Sequence, residues 1–427
     1  MNLPKDLLEL VQNGVITKDT AENINDYYKN KNGASTNRLF VVFGVLGAVL
    51  VGLGIILIIA HNWDDLPRFT KTTLAFLPLL IGQVLCGYVL LKKQDSQTWR
   101  ESSTTFLFFS IGASISLVSQ IYHIPGNLSS FLLTWALLSL PLIYIMKSSI
   151  TSLLYLTGIT YYACETSYWG YPSVSSYAYW PMLLLALPHY YLLSKHKPQS
   201  NFIFFHNWFI PLSAVITLGT LASSTEELMF IAYFSLFGLL YLIGNRDFFI
   251  NQKSRNNGYK ILGTIGTVIL LFTASFDFFW ENLRNSHIEL NGIMTTPEFL
   301  AATTLTVLAL TLLVLNKKGK NIISVKPLSL VFVLFIPTFF IGLNLSVSVV
   351  LINIYVFVLG LLTIRDGAKR NHLGILNYGL VIITILVVCR FFDADLSFII
   401  RGVLFVSVGV SFFATNYWML KKRKTNE

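Results

Sequence analysis

The chain has 427 residues, 54% of them hydrophobic and only 12% charged, which is more apolar side chain than a soluble core needs. Its net charge of +10 comes from short basic loops beside apolar runs rather than from a concentrated basic stripe, so the anionic inner leaflet of a bilayer is the expected partner and nucleic acid is not. Cys86, Cys164 and Cys389 lie in or at the ends of apolar segments, outside any C-x-x-C or Cys/His spacing, which supports neither a disulfide framework nor a zinc site.

Residues 1–36 read as a cytoplasmic helical hairpin. Pro4 suits a first helical turn with Leu7, Leu8 and Val11 on one face, and Asn13-Gly14 ends it. Thr17 is placed to cap a second helix, with Asp19 and Glu22 in its first turn and Ala21, Ile24 and Tyr28 at helical spacing. A hairpin of this size has no core of its own, so it is expected to dock on the membrane domain or on a membrane or cytoplasmic protein partner. The first apolar run starts only at Leu39, after a mixed-charge tail, and is expected to persist as an anchor rather than be cleaved as a signal peptide. Within it Gly44, Ala48 and Gly52 recur every four residues, a spacing that lets helices pack closely.

Fourteen crossings follow from hydropathy: 39–60, 72–91, 104–121, 128–146, 149–164, 176–194, 202–222, 227–244, 259–279, 298–316, 327–342, 346–363, 372–390 and 398–419. Lipid offers no partner to a bare peptide group, and no alternating strand pattern occurs, so the expected fold is an all-α polytopic bundle. The segments 149–164 and 327–342 are short enough to be re-entrant. Of 31 basic residues, 26 fall in alternate loops and tails, leaving Arg68, Lys71, Arg284, Arg390 and Arg401 for the other side. Positive loops stay inside, which makes both termini cytoplasmic, residues 39–419 the transmembrane domain and 420–427 a basic cytoplasmic tail. A gapless alignment of 62–93 with 391–422 gives seven identities in 32, a weak sign of a parallel duplication.

The informative polar residues gather on the outer side. They are His61, Asn62, Trp63, Asp64, Asp65 and Arg68 after the first crossing, Gln120, Tyr122 and His123 after the third, and Arg390, Asp393, Asp395 and Arg401 around the last hairpin. The Asn-Trp-Asp-x-x-Pro-Arg turn, the Gln-Ile-Tyr-His turn and the closing Arg-Phe-Phe-Asp-x-Asp-x-Ser-Phe-x-x-Arg-Gly resemble the domain-of-unknown-function 2157 family of predicted bacterial membrane proteins. The resemblance implies a bacterial inner-membrane protein and supplies no catalytic residue.

Read on their own, Asp64 and Arg68 suit a pair across one helical turn, and Trp63, Tyr122 and Phe391-Phe392 suit an aromatic belt. Interfacial anchoring and helix capping therefore compete with a ligand or ion site for these residues. His61, Asp64, Asp65 and His123 lack the spacing of a zinc hydrolase, and no nucleophile elbow, Walker loop or dinucleotide fingerprint occurs. No cofactor is expected, and a membrane-embedded hydrolase or transferase using the outer cluster ranks third among the functional readings. Glu165 and Asp277, at outer ends of crossings, are the candidates for ion coupling, while His189, following Pro188, is expected to satisfy a carbonyl freed by a kink. The expected function is transport or flippase-like movement of a small molecule or envelope lipid. The alternative is a non-transporting envelope sensor or assembly scaffold.

Overall fold

The computed structural model describes residues 7, 10–27, 63, 65–170, 176–249, 252, 254–285, 292–317 and 326–393, with scattered positions from 399 to 417. The first expected crossing with its stripe of Gly44, Ala48 and Gly52 thus lies outside the described residues, as do much of the last crossing and much of the 391–422 half of the proposed duplication. The chain divides into two compact units, residues 1–76 and 77–427.

In the first unit, residues 10–12 and 18–27 are helical. Gly14 takes φ +69° at the turn between them, a left-handed conformation that costs glycine nothing. Thr17 Oγ1 accepts a hydrogen bond of 3.3 Å from the backbone N–H of Thr20, the capping contact its position suggested.

Beyond it the described chain is helical and contains no strand. The helices are α1 (Arg68–Lys92), α2 (Gln97–Tyr122), α3 (Leu128–Ile145), α4 (Ser149–Ser167), α5 (Tyr179–His196), α6 (Asn201–Leu218) and α7 (Met229–Ile243). They continue with α8 (Gly258–Thr273), α9 (Asp277–Asn285), α10 (Pro297–Lys317), α11 (Val331–Gly342), α12 (Val347–Lys369) and α13 (Leu373–Asp393). Among the described residues, eight helices are long and apolar enough to cross a membrane, or nine if α8 and α9 form one span. The helices α4 and α5 occupy two further expected crossings but are not among the eight, and α11 with its preceding turn is a shorter apolar helix.

Segment 259–279, drawn as one crossing, is not straight. It breaks after Thr273, and α9 leaves α8 at 77°. The side chain of Trp280 fixes this bend. It is fully buried, and its Nε1–H donates to the carbonyl of Ala274 at 2.8 Å. Phe279 and Leu283 are buried with it, whereas Asp277 and Arg284 pair at 3.2 Å along the same short helix.

The core centres on α7, which is apolar on every side and the most enclosed of the candidate spans, as a helix without a polar face must be. It packs against α8, α10 and α11, with Phe234 stacked on Phe335 at 3.7 Å between ring centroids. Contacts between connecting segments join like ends. At one end Glu101 reaches 148–150, Lys326 reaches Asn245, and Asn207 reaches Gln252. At the other, Glu298 reaches 223–225 and Asn353 reaches Ser275. Two ends built from alternate loops are what successive antiparallel crossings produce.

The α12–α13 pair packs through glycine. A Cβ at Gly379 would fall 2.7 Å from the backbone nitrogen of Ile364 and 2.9 Å from the carbonyl oxygen of Gly360, so only a bare backbone fits. Helix propensity favours alanine over glycine by about 1 kcal/mol in a helix interior. Gly87→Ala in α1, where nothing stands within 4 Å, should therefore hold or raise the melting temperature of the purified protein. Gly379→Ala should lower it, with overpacking costing about 1–3 kcal/mol.

Candidate functional site

One candidate residue, His123, and the nearby Asn127 prove to be capping groups. His123 is the C-cap of α2 at φ 49°, a left-handed position that histidine tolerates better than most side chains. Asn127 caps α3, accepting from Ser130 N–H at 2.8 Å while Ser130 Oγ accepts from Asn127 N–H at 3.3 Å. Gln120, Tyr122 and His123 are exposed. In the first unit Asp65 and Arg68 are exposed, Trp63 is half-buried, and the Lys71 ammonium lies 5.7 Å from the Trp63 ring centre. Arg390 rests its guanidinium 4.6 Å from the Phe276 ring centre and 3.5 Å from Ser275 Oγ, against the α8–α9 break. That break also carries Asp277, so these two candidates share one region, while Glu165 is half-buried on α4. Asp393 ends α13. His61, Asn62, Asp64, Asp395 and Arg401 lie outside the described residues, and with them the Asp64–Arg68 pair. Among the described residues no three His, Cys, Asp or Glu side chains form a metal-holding group.

The opposite end holds a built site that the sequence reading did not mark. It starts from Glu101, in the first turns of α2 and only 5% exposed. Its carboxylate accepts from Ser148 Oγ at 2.5 Å and from the backbone N–H groups of Ser149 and Ile150 at 3.0 Å each. These are donors that the start of α4 cannot satisfy internally, and a carboxylate at the positive end of a helix is favoured on both counts.

Around this clamp lies a cavity of about 400 Å³ between the ends of α2, α3, α5 and α6. Arg100, Lys147, His196 and Lys197 line its mouth, and Ile143, Tyr144, Leu192, Leu193 and Phe202 supply apolar wall. A neighbouring cavity, also about 400 Å³, shares Arg100, Lys147 and Lys197. The Tyr144 hydroxyl donates to the Leu185 carbonyl, which ties α3 to α5 beside the cavity.

Leading inward from the cavity is a polar seam between α4, α5 and α6. His189 Nε2 lies 3.3 Å from Ser149 Oγ, so this imidazole meets a hydroxyl of α4 and not the kink carbonyl expected for it. His206 has Nδ1 2.7 Å from the Phe202 carbonyl and Nε2 3.0 Å from Ser152 Oγ. A carbonyl only accepts, so Nδ1 carries the proton, and in that tautomer Nε2 accepts a hydrogen bond from the Ser152 hydroxyl. Further along, Ser213 Oγ lies 2.6 Å from both Thr160 Oγ1 and Tyr179 Oη. Polar groups joined across helices in this way hold a membrane bundle together and line its interior with hydroxyl and imidazole.

Sequence reasoning passed over Glu101 because it follows Arg100 at a loop edge, where an acid and a base together read as a wet surface. Its partners stand 47 to 49 residues away, and only the fold joins them. Glu101→Ala would leave several buried donors without an acceptor, at about 1–3 kcal/mol for each one stranded, whereas Glu101→Gln keeps one acceptor oxygen. The alanine variant should melt well below the glutamine variant in detergent. Equal melting temperatures would contradict the clamp.

No curated protein and no solved structure matches the chain. The stretch that carries the Trp63 turn, the clamp residue Glu101 and the 120–127 turn does match a family: residues 8–152 fit the model described as "Predicted membrane protein (DUF2157)".

Proposed function

We propose that this multi-pass membrane protein moves an amphiphile or small molecule across a bacterial inner membrane, loading it at the cavity beside Glu101. The cavity carries the reading, because it combines a cationic mouth with an apolar wall between helices. The seam of His189, His206, Ser152, Ser213 and Thr160 supports it with polar lining deeper in the bundle. A path lined by hydroxyl and imidazole needs no charged residue at the bilayer centre, where such residues are costly. In this reading the chain makes fourteen crossings with both termini cytoplasmic, and the cavity faces the cytoplasm. Glu165, Asp277 and the outer polar residues would then serve release or coupling on the far side.

The scaffold reading has one observation in its favour. Residues 1–76 form a compact unit, and Leu10, Val15 and Tyr27 within it are exposed, which suits docking of a protein partner. The two readings separate in proteoliposomes. Transport predicts movement of a fluorescent lipid or solute above protein-free vesicles, and that movement survives removal of residues 1–36. A scaffold gives none.

Orientation has its own test. In a variant lacking the native cysteines, new cysteines at Lys93 and Asn256 should be shielded from an impermeant thiol reagent in intact cells, while those at Thr70 and His287 label. The reverse pattern would invert the protein and move the cavity to the outer face.

A further inference from the structure

We infer that the cavity beside Glu101 binds the phosphate-bearing headgroup of an anionic lipid, held by Arg100, Lys147 and Lys197. This rests on the reading of the cavity as a loading site and adds the chemistry of what is loaded.

The first argument is charge. The three cations border both cavities, and among the described residues none of them forms an ion pair. The carboxylate nearest to hand, Glu101, spends its oxygens on Ser148, Ser149 and Ile150. Asp95, exposed on the rim of the second cavity, is the other acid present. His196 adds an imidazole whose Nδ1 is engaged by the Leu192 carbonyl at 2.8 Å. Arg100 Nε is buried without a hydrogen-bond partner, while one terminal nitrogen reaches the Gln94 carbonyl at 3.5 Å. A guanidinium and two ammonium groups outnumber the two carboxylates beside them, Glu101 and Asp95, and so suit an anion with several acceptor oxygens, which phosphate provides.

The second argument is conformational. Lys147 sits at φ 50°, in the left-handed region where glycine would be free of strain. A glycine would serve the α3–α4 turn better, so the lysine is explained by its side chain and not by its backbone. The third argument is the wall. Tyr144, Leu192 and Phe202 give the cavity an apolar side, and Tyr144 and Leu192 are themselves exposed on the helix surface that would face the acyl chains. A headgroup with an attached chain uses both surfaces, whereas free phosphate uses one. Basic pockets between membrane helices on the cytoplasmic side are a known arrangement for lipid phosphates.

The test is a titration of the purified full chain in neutral detergent with dioleoyl phosphatidic acid, read by native mass spectrometry. Saturable one-to-one binding is expected. Lys147→Gly combined with Lys197→Gln should weaken it at least tenfold, and Lys147→Gly relieves the left-handed backbone, so the fold should survive. Unchanged melting without lipid verifies that. Lys147→Arg with Lys197→Arg should retain binding. Lys92→Gln with Lys93→Gln, which removes equal charge at the same end but outside both cavities, should change it less than twofold. Phosphatidylcholine should not compete, and inorganic phosphate should compete only at far higher concentration.

Equal weakening by the Lys92/Lys93 pair would reduce the site to diffuse surface charge and overturn the proposal. So would undiminished binding by the Lys147/Lys197 pair, or competition by inorganic phosphate as strong as by lipid. Binding with no movement of phosphatidic acid in vesicles would leave this site standing and remove the transport reading. Movement that ignores the Lys147/Lys197 pair would do the opposite.

Discussion

A helix that begins inside a membrane protein exposes backbone N–H groups that neither lipid nor the helix itself can satisfy. Glu101 meets that constraint here, and a second buried glutamate, Glu298, does the same service for the N–H groups of the loop before α7. Glu101 takes the donors at the start of α4, and Glu298, fully buried at the start of α10, accepts from the N–H groups of Ser223, Ser224 and Thr225 at 2.5, 2.8 and 3.2 Å. One clamp stands at each end of the bundle, and each ties segments far apart in sequence. A buried carboxylate is affordable only when hydrogen-bonded, and once engaged with backbone it is withdrawn from ion pairing. At the Glu101 end three bases stand without an ion pair among the described residues, with the exposed Asp95 the one further acid on the cavity rim. The clamp thus shapes the fold and the electrostatics of the cavity together.

The two ends differ in kind. Around Glu298 the neighbours are hydroxyls and backbone, with Thr225 bonded to Thr296 at 3.1 Å. Around Glu101 they are Arg100, Lys147 and Lys197, and an open space of ligand size adjoins them. Between the ends, α4 and α6 meet through Ser152–His206 and Thr160–Ser213 rather than through apolar packing alone. In the surrounding helices α1, α3 and α10 only 22% of the spanning residues are buried, as suits helices that face lipid.

Much of the helical layout was legible in the sequence, because a run of about 20 apolar residues is a signal that needs no knowledge of neighbours. Apart from α9, which no drawn segment matches, the described helices overlap the drawn segments, and the capping role of Thr17 and the Asn13-Gly14 break were readable from local chemistry. The α8–α9 break was not, since Thr-Ala-Ser-Phe continues the apolar run without Pro or Gly and the bend depends on Trp280 reaching Ala274. The site was less legible still. Lys147 and Lys197 entered the reading as topology signals, Arg100 likewise, and His189 as a kink residue. That these residues share one cavity is a property of helix packing. The motifs that carried the family likeness were legible as motifs, but His123 and Asn127 proved to shape turns.

The central claim is that Glu101 is committed to the α4 backbone and so leaves Arg100, Lys147 and Lys197 to an external anion. A high-resolution cryo-electron microscopy structure in nanodiscs containing phosphatidic acid tests it most directly. The account predicts the Glu101 carboxylate on Ser148, Ser149 and Ile150 and headgroup density between the three bases, with phosphate oxygens at about 2.7–2.9 Å from their nitrogens. Glu101 turned away from α4 to pair with Arg100, with Lys147 and Lys197 directed into bulk water, would contradict it.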